Sequence, residues 1–209
     1  MALTPLEAAK DVLDRAENLL AAADGVANTL VAEDMRRFAL AEGVAALDTY
    51  FHWAIADAPL VNMPSALRNL EIPFEDLIAL SEAMVANREK IRPKVRARHV
   101  LERVILTKTF QSSRNVETAM QILGVRKAFS KIKEHITPAQ SVSEIKDRLD
   151  HIVRRRNQIV HEGDLQRQSR PRSIRRQNVD GGEFKDDIVW LRSLVDAVDE
   201  ALKAASLKK

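Results

Sequence analysis

From Val26 to Asp57 the chain repeats apolar residues at helical spacing, through Leu30, Met35, Phe38, Val44, Leu47, Phe51 and Ile55, and no proline interrupts the run before Pro59. A helix this long, tolerating one glycine at Gly43, sets the fold class. The expectation is an all-α chain, a bundle with a long central helix and appended shorter helices. Nothing competes with it: aromatic residues are only 4%, and alternating β-branched runs are missing.

The remaining helices are bounded by their end signals. Thr4-Pro5-Leu6-Glu7 is a capping box with proline at the first helical position, and Asp24-Gly25 offers the stop. Pro59, Pro64 and Pro73 make residues 58–72 a connector with one helical turn, followed by a helix at about 74–87. Arg92-Pro93 opens a helix through Val100, Val104 and Ile105 that is expected to end near Gln111 to Ser113. Short helices at about 114–123 and 125–135 are separated by Gly124, and Pro138 closes that block. Ser141-Val142-Ser143-Glu144 is a second capping box, starting a helix to His161 or Glu162 with Gly163 as its stop. Residues 164–182 read as a basic, irregular loop. Glu183 to about Ser206 reads as a last amphipathic helix through Phe184, Ile188, Leu191, Val195, Val198 and Leu202. No internal repeat or linker divides residues 1–209, so a single domain is expected.

Composition removes large function classes. With no cysteine among 209 residues, disulfides, thiolate nucleophiles and cysteine metal sites are excluded. Six glycines, and no GxGxxG, GxxxxGK[ST] or GxSxG, leave no familiar phosphate loop or serine elbow. His52, His99, His135, His151 and His161 show no paired-ligand spacing, so neither a metal nor a cofactor is expected. The sequence has no apolar run of spanning length and begins MALTPLEAAK, which points to a cytoplasmic protein without membrane attachment. The net charge of +3 conceals an asymmetry: residues 1–87 hold 5 Lys and Arg against 14 Asp and Glu, whereas residues 88–209 hold 28 against 16. A basic half suits a polyanion, although solvated helix faces also produce such bias.

The helix from Val142 to Glu162 is the informative one. Ile145, Leu149, Ile152 and Ile159 fall on a single stripe, and Arg156 falls inside it. A guanidinium there either meets an anion in a cleft or interface, or snorkels to water or a structural carboxylate. Asn157 and His161, four residues apart, share one flank of the helix beside Arg156. Taken singly, His161 also suits the negative end of the helix dipole. Beyond it, Arg167, Arg170, Arg172, Arg175 and Arg176 occur with no acid between Asp164 and Asp180. They either grip phosphates or form a solvated loop, and Arg154 and Arg155 are equally open. Asp48 and His52 on the long helix read better as an ordinary helix-face pair than as site residues, and Glu162 and Asp164 as largely solvated acids at a helix stop. Trp53 and Trp190 read as core or interface residues.

The segment RRRNQIVHEGD, with Arg156-Asn157 followed by His161, resembles the R-x4-H signature of the HEPN superfamily, and is particularly similar to the RiboL-PSP-HEPN branch. Ala46-Leu47-Asp48-Thr49-Tyr50-Phe51-His52 and Thr109-Phe110-Gln111-Ser112-Ser113, before Leu123-Gly124, fit the same branch, so the likeness covers nearly the whole chain. The resemblance implies an HEPN-like helical bundle that dimerises, bringing two R-x4-H helices into a shared cleft. It implies a metal-independent endoribonuclease in which Arg156 holds the scissile phosphate, Asn157 orients and His161 transfers protons. Arg154, Arg155, Arg167, Arg170, Arg172, Arg175 and Arg176 are the expected RNA-binding residues. A toxin or defence role, with RNA as substrate and a cognate antitoxin or inhibitor as a further candidate partner, follows from resemblance alone. The alternatives are a noncatalytic RNA- or nucleotide-binding module and a helical interaction scaffold.

Overall fold

Most helices begin where a side chain can satisfy the loose amide groups of the first turn. The computed structural model of the protein describes residues 3–86, 93–166 and 173–207. Among these, the helices are α1 (Pro5–Ala23), α2 (Thr29–Ala56), α3 (Ser65–Arg68), α4 (Phe74–Ala86), α5 (Pro93–Leu106), α6 (Ser113–Ile122), α7 (Ala128–Ile132), α8 (Val142–Glu162) and α9 (Gly181–Ser206). The fold is all-helical; the only extended pairing among the described residues is a bridge between Leu165 and Arg176. Residue 87 and Arg92, at the edges of two expected helices, lie outside the described residues.

Both capping boxes form as expected, Thr4 with Glu7 on α1 and Ser141 with Glu144 on α8. Asn28 and Asp180 cap α2 and α9 in the simpler way, so α9 starts two residues before the expected Glu183. α2 is central: α1, α5, α6, α8 and α9 all pack on it. Its buried face holds Leu40, Val44, Leu47, Tyr50, Phe51 and Ile55, opposite Leu13 and Leu20 of α1 and Ile188, Leu191, Val195 and Val198 of α9. Gly43 lets α9 come close, since a Cβ there would sit 3.1 Å from Ile188 Cγ1. In the first half of α2 the expected pattern fails. Leu30 and Phe38 face outward, while Arg37 turns inward to a buried carboxylate described below.

The segment after α5 shows why that helix ends at Leu106, well short of Gln111. Asp48 of α2 accepts hydrogen bonds from the Phe110 backbone N–H and the Gln111 side chain, pulling the chain out of helical geometry. His52 Nε2 donates to the Lys108 carbonyl at 2.9 Å, and Phe110 packs on Phe51 with ring centroids 5.9 Å apart. Asp48 and His52 therefore do not pair with each other; each ties α2 to the following segment. Asp150 of α8 accepts from the Ser113 N–H at 2.8 Å and its hydroxyl at 2.6 Å, fixing the start of α6 against α8. The short helix after Gly124 shrinks to the single turn of α7 because Lys127 adopts a left-handed conformation just before it. Trp190 is buried and donates to Gln140 Oε1 at 2.9 Å, whereas Trp53 stays 40% exposed.

Two measurements test this packing. Gly43→Val should lower the unfolding free energy by about 1–3 kcal/mol through overpacking against Ile188, read from urea midpoints. The hydroxyl and backbone N–H of Ser141 hold the Glu144 carboxyl below the usual carboxylate range. A carboxyl lowered in the folded state adds stability above its unfolded pKa and loses it as pH falls through the folded pKa. Ser141→Ala should cost about 1 kcal/mol at neutral pH. Glu144→Gln, which keeps an acceptor, should flatten the acid limb of stability against pH.

Candidate functional site

The polar groups of α8 are placed by what its apolar stripe buries. Ile145, Leu149 and Ile152 are fully buried, Val153 and Ile159 nearly so, and together they set the rotation of the helix. Arg156 lies on that side and is half-buried. Its Nε is buried and meets no hydrogen-bond partner, and its Nη1 donates to Asn157 Oδ1 at 3.1 Å. Among the described residues it forms no ion pair, so no described carboxylate compensates its charge. Asn157 and His161 are exposed on the flank next to it, and Arg154 is exposed on the face away from the stripe. His161 occupies the last turn, where the helix dipole favours a positive charge, and Gly163 ends the helix in the left-handed conformation at φ 60°.

The opposite flank has a different chemistry. Arg148 packs over Trp190 at 5.0 Å and reaches Asp187 Oδ1 at 3.3 Å; burial still pushes the Asp187 carboxyl up despite that guanidinium. Arg155, expected to face RNA, is instead engaged internally. Its Nη1 and Nη2 both bond the Asp164 carboxylate, Nη2 at 3.0 Å, and Nη2 also reaches the Asn178 carbonyl at 3.0 Å. Asp164, expected to be solvated, is fully buried. Its second partner is Arg37 of α2, whose Nε donates at 2.8 Å. Arg37 also binds Asp34 at 3.0 Å, Glu33 at 3.3 Å and the Gln177 carbonyl at 3.1 Å. Burial works against the Arg37 charge, yet Asp164, Asp34 and Glu33 outweigh it and raise its pKa. No local pattern announces this trio, because Arg37 lies 127 positions from Asp164. The one hint is that Asp164 is the last acid before the arginine run.

Asp164 also begins the segment read as an irregular loop, whose described ends form a hairpin stem. The Gln166 N–H donates to the Arg175 carbonyl and the Gln177 N–H to the Asp164 carbonyl, both at 2.8 Å. Arg175 and Arg176 thus stand on a stem anchored at the end of α8, with exposed side chains. Arg167, Arg170 and Arg172 lie outside the described residues.

Clefts of about 500, 610 and 900 Å³ open elsewhere, none lined by a residue of α8. α8 itself presents a partly sunken guanidinium, an exposed amide and an exposed imidazole, groups suited to an extended anion. Among the described residues no three His, Asp or Glu side chains gather as a metal-ligand set, and no helix is long and apolar enough to cross a membrane. Neither a curated protein nor a solved structure matches the chain. A family model does, over residues 10–204, which takes in α8, the hairpin stem and the ties through Asp48 and Asp150; the chain belongs to the RiboL-PSP-HEPN family.

Proposed function

We propose that this protein is a metal-independent endoribonuclease whose site is completed by a second copy of the chain. The observation that carries the reading is Arg156, a guanidinium set on the buried side of α8 that meets no carboxylate among the described residues. Leaving such a group without a counter-charge costs free energy, and an external anion recovers it. A phosphodiester matches the planar donor fork of arginine.

In this reading Arg156 binds the scissile phosphate and stabilises the charge that builds on its oxygens. Asn157 holds the guanidinium through its carbonyl, leaving its amide N–H groups for the same phosphate or the ribose. RNA supplies the nucleophile. The ribose 2′-oxygen forms a bond to phosphorus while the bond from phosphorus to the 5′-oxygen breaks, giving a 2′,3′-cyclic phosphate and a 5′-hydroxyl. One imidazole accepts the 2′-hydroxyl proton and a second donates a proton to the departing 5′-oxygen. One His161 per chain supplies one of these roles, so a symmetric homodimer supplies both. Arg154, Arg175 and Arg176 would add salt-sensitive backbone contacts without reading sequence, and Arg155 is left out because Asp164 holds it. A toxin or defence role, with an antitoxin or inhibitor as partner, belongs to this proposal on family grounds only.

Purified protein should cleave single-stranded RNA in the presence of EDTA, leave the all-deoxy strand intact, and lose at least about 100-fold in kcat on His161→Ala. Arg156→Ala should abolish turnover, with Arg156→Lys only partly restoring it because the fork is gone. Salt-dependent RNA binding without turnover would favour the noncatalytic module. Loss of the dimer on Arg156→Ala, with RNA behaviour unchanged, would favour the scaffold.

A further inference from the structure

The fully buried carboxylate of Asp164 lies three residues after His161 and joins three separate parts of the chain. Arg155 brings α8, Arg37 brings α2, and the Gln177 and Asn178 carbonyls bring the returning side of the hairpin. Burying an ion pair rarely stabilises a fold more than an apolar plug of similar volume. What the charged trio supplies, and a plug would not, is direction: each guanidinium fork accepts only one arrangement of carboxylate and carbonyl oxygens. That arrangement sets the register of the stem, where Leu165 pairs with Arg176 and Gln166 with Arg175.

We propose that Asp164 is a positioning residue for the RNA site: clamped between Arg37 and Arg155, it anchors the arginine-bearing hairpin to the end of α8 that carries His161, so that Arg175 and Arg176 meet the same strand. The assignment rests on the endoribonuclease reading and adds to it which residues orient the phosphate-gripping arm. Asp164 touches neither substrate nor reacting atoms. Arg37, with a side chain only 5% exposed, cannot reach RNA either, so any effect of altering it on RNA passes through the clamp.

The test compares wild type, Asp164→Asn and Arg37→Gln by steady-state cleavage of a single-stranded RNA, salt dependence of RNA binding, and amide hydrogen exchange. Both variants should raise KM about tenfold with kcat at saturation within about threefold of wild type, and reduce the salt slope by about 1.4, the share of two phosphate contacts on a single strand. The Gln166 and Gln177 amides should lose protection while those in the middle of α8 keep theirs. Arg37→Lys should restore part of the KM. If Asp164→Asn does not fold, Arg37→Gln carries the same comparison. An active wild type beside Arg37→Gln with unchanged KM and salt slope would overturn the positioning role alone. A wild type that neither binds nor cleaves RNA would overturn the nuclease reading and this assignment with it.

Discussion

Burial of one stripe of α8 decides the direction of every other group on that helix. Ile145, Leu149, Ile152 and Ile159 each contribute about 1.5–3 kcal/mol when removed from water, far more than any exposed polar contact, so the rotation of α8 is not negotiable. With successive residues about 100° apart, that rotation sends Arg155 and Arg156 to different surroundings although they are adjacent in sequence. Arg155 swings to the buried Asp164, whereas Arg156 stays beside the stripe without a carboxylate. Asn157 and His161 are carried to the exposed flank by the same geometry.

Two kinds of arginine result. Arg37, Arg148, Arg155 and Arg192 spend their charge inside the molecule, on Asp164, Asp187, Asp14 and Glu17. Arg154, Arg156, Arg175 and Arg176 pair with no described acid, and they lie along α8 and on the stem fixed to its end. The excess positive charge of the second half of the chain is therefore not spread evenly: part braces the fold and part meets no described carboxylate. A lone arginine paired with a surface acid would contribute about 0–1 kcal/mol, so the contrast matters for function more than for stability.

The other stretches likened to this family, around Asp48 and Phe110, act as joints. Asp48 holds Phe110 and Gln111, His52 holds Lys108, and Tyr50 donates to Asp199 on α9 at 2.9 Å. Burial and that carboxylate push the Tyr50 hydroxyl well above its ordinary range, so it remains a neutral donor. Asp150 completes the set by gripping Ser113. These bonds seat α6 and the segment before it against α2 and α8, framing the helix that bears the candidate site.

The helical class, both capping boxes, the span of α8, its apolar stripe and the place of Arg156 within it were legible in the sequence. Each is a local matter of spacing and end chemistry, repeated within one or two turns. The inward turn of Arg37, the burial of Asp164, the diversion of Arg155 and the early end of α5 were not legible. Most depend on a partner brought close only by packing: Arg37 and Asp164 are 127 positions apart, and Asp48 and Phe110 are 62; Arg155 meets Asp164, nine residues on, only because the chain turns back at Gly163. Periodicity also misled in the first half of α2, where Phe38 looked like core but is exposed, while its neighbour Arg37 is buried against Asp164. The sequence alone determined which residues could do chemistry with a phosphate; the tertiary structure decided which of those arginines were left free to do it, because a guanidinium is neutralised by whichever carboxylate the fold places within reach.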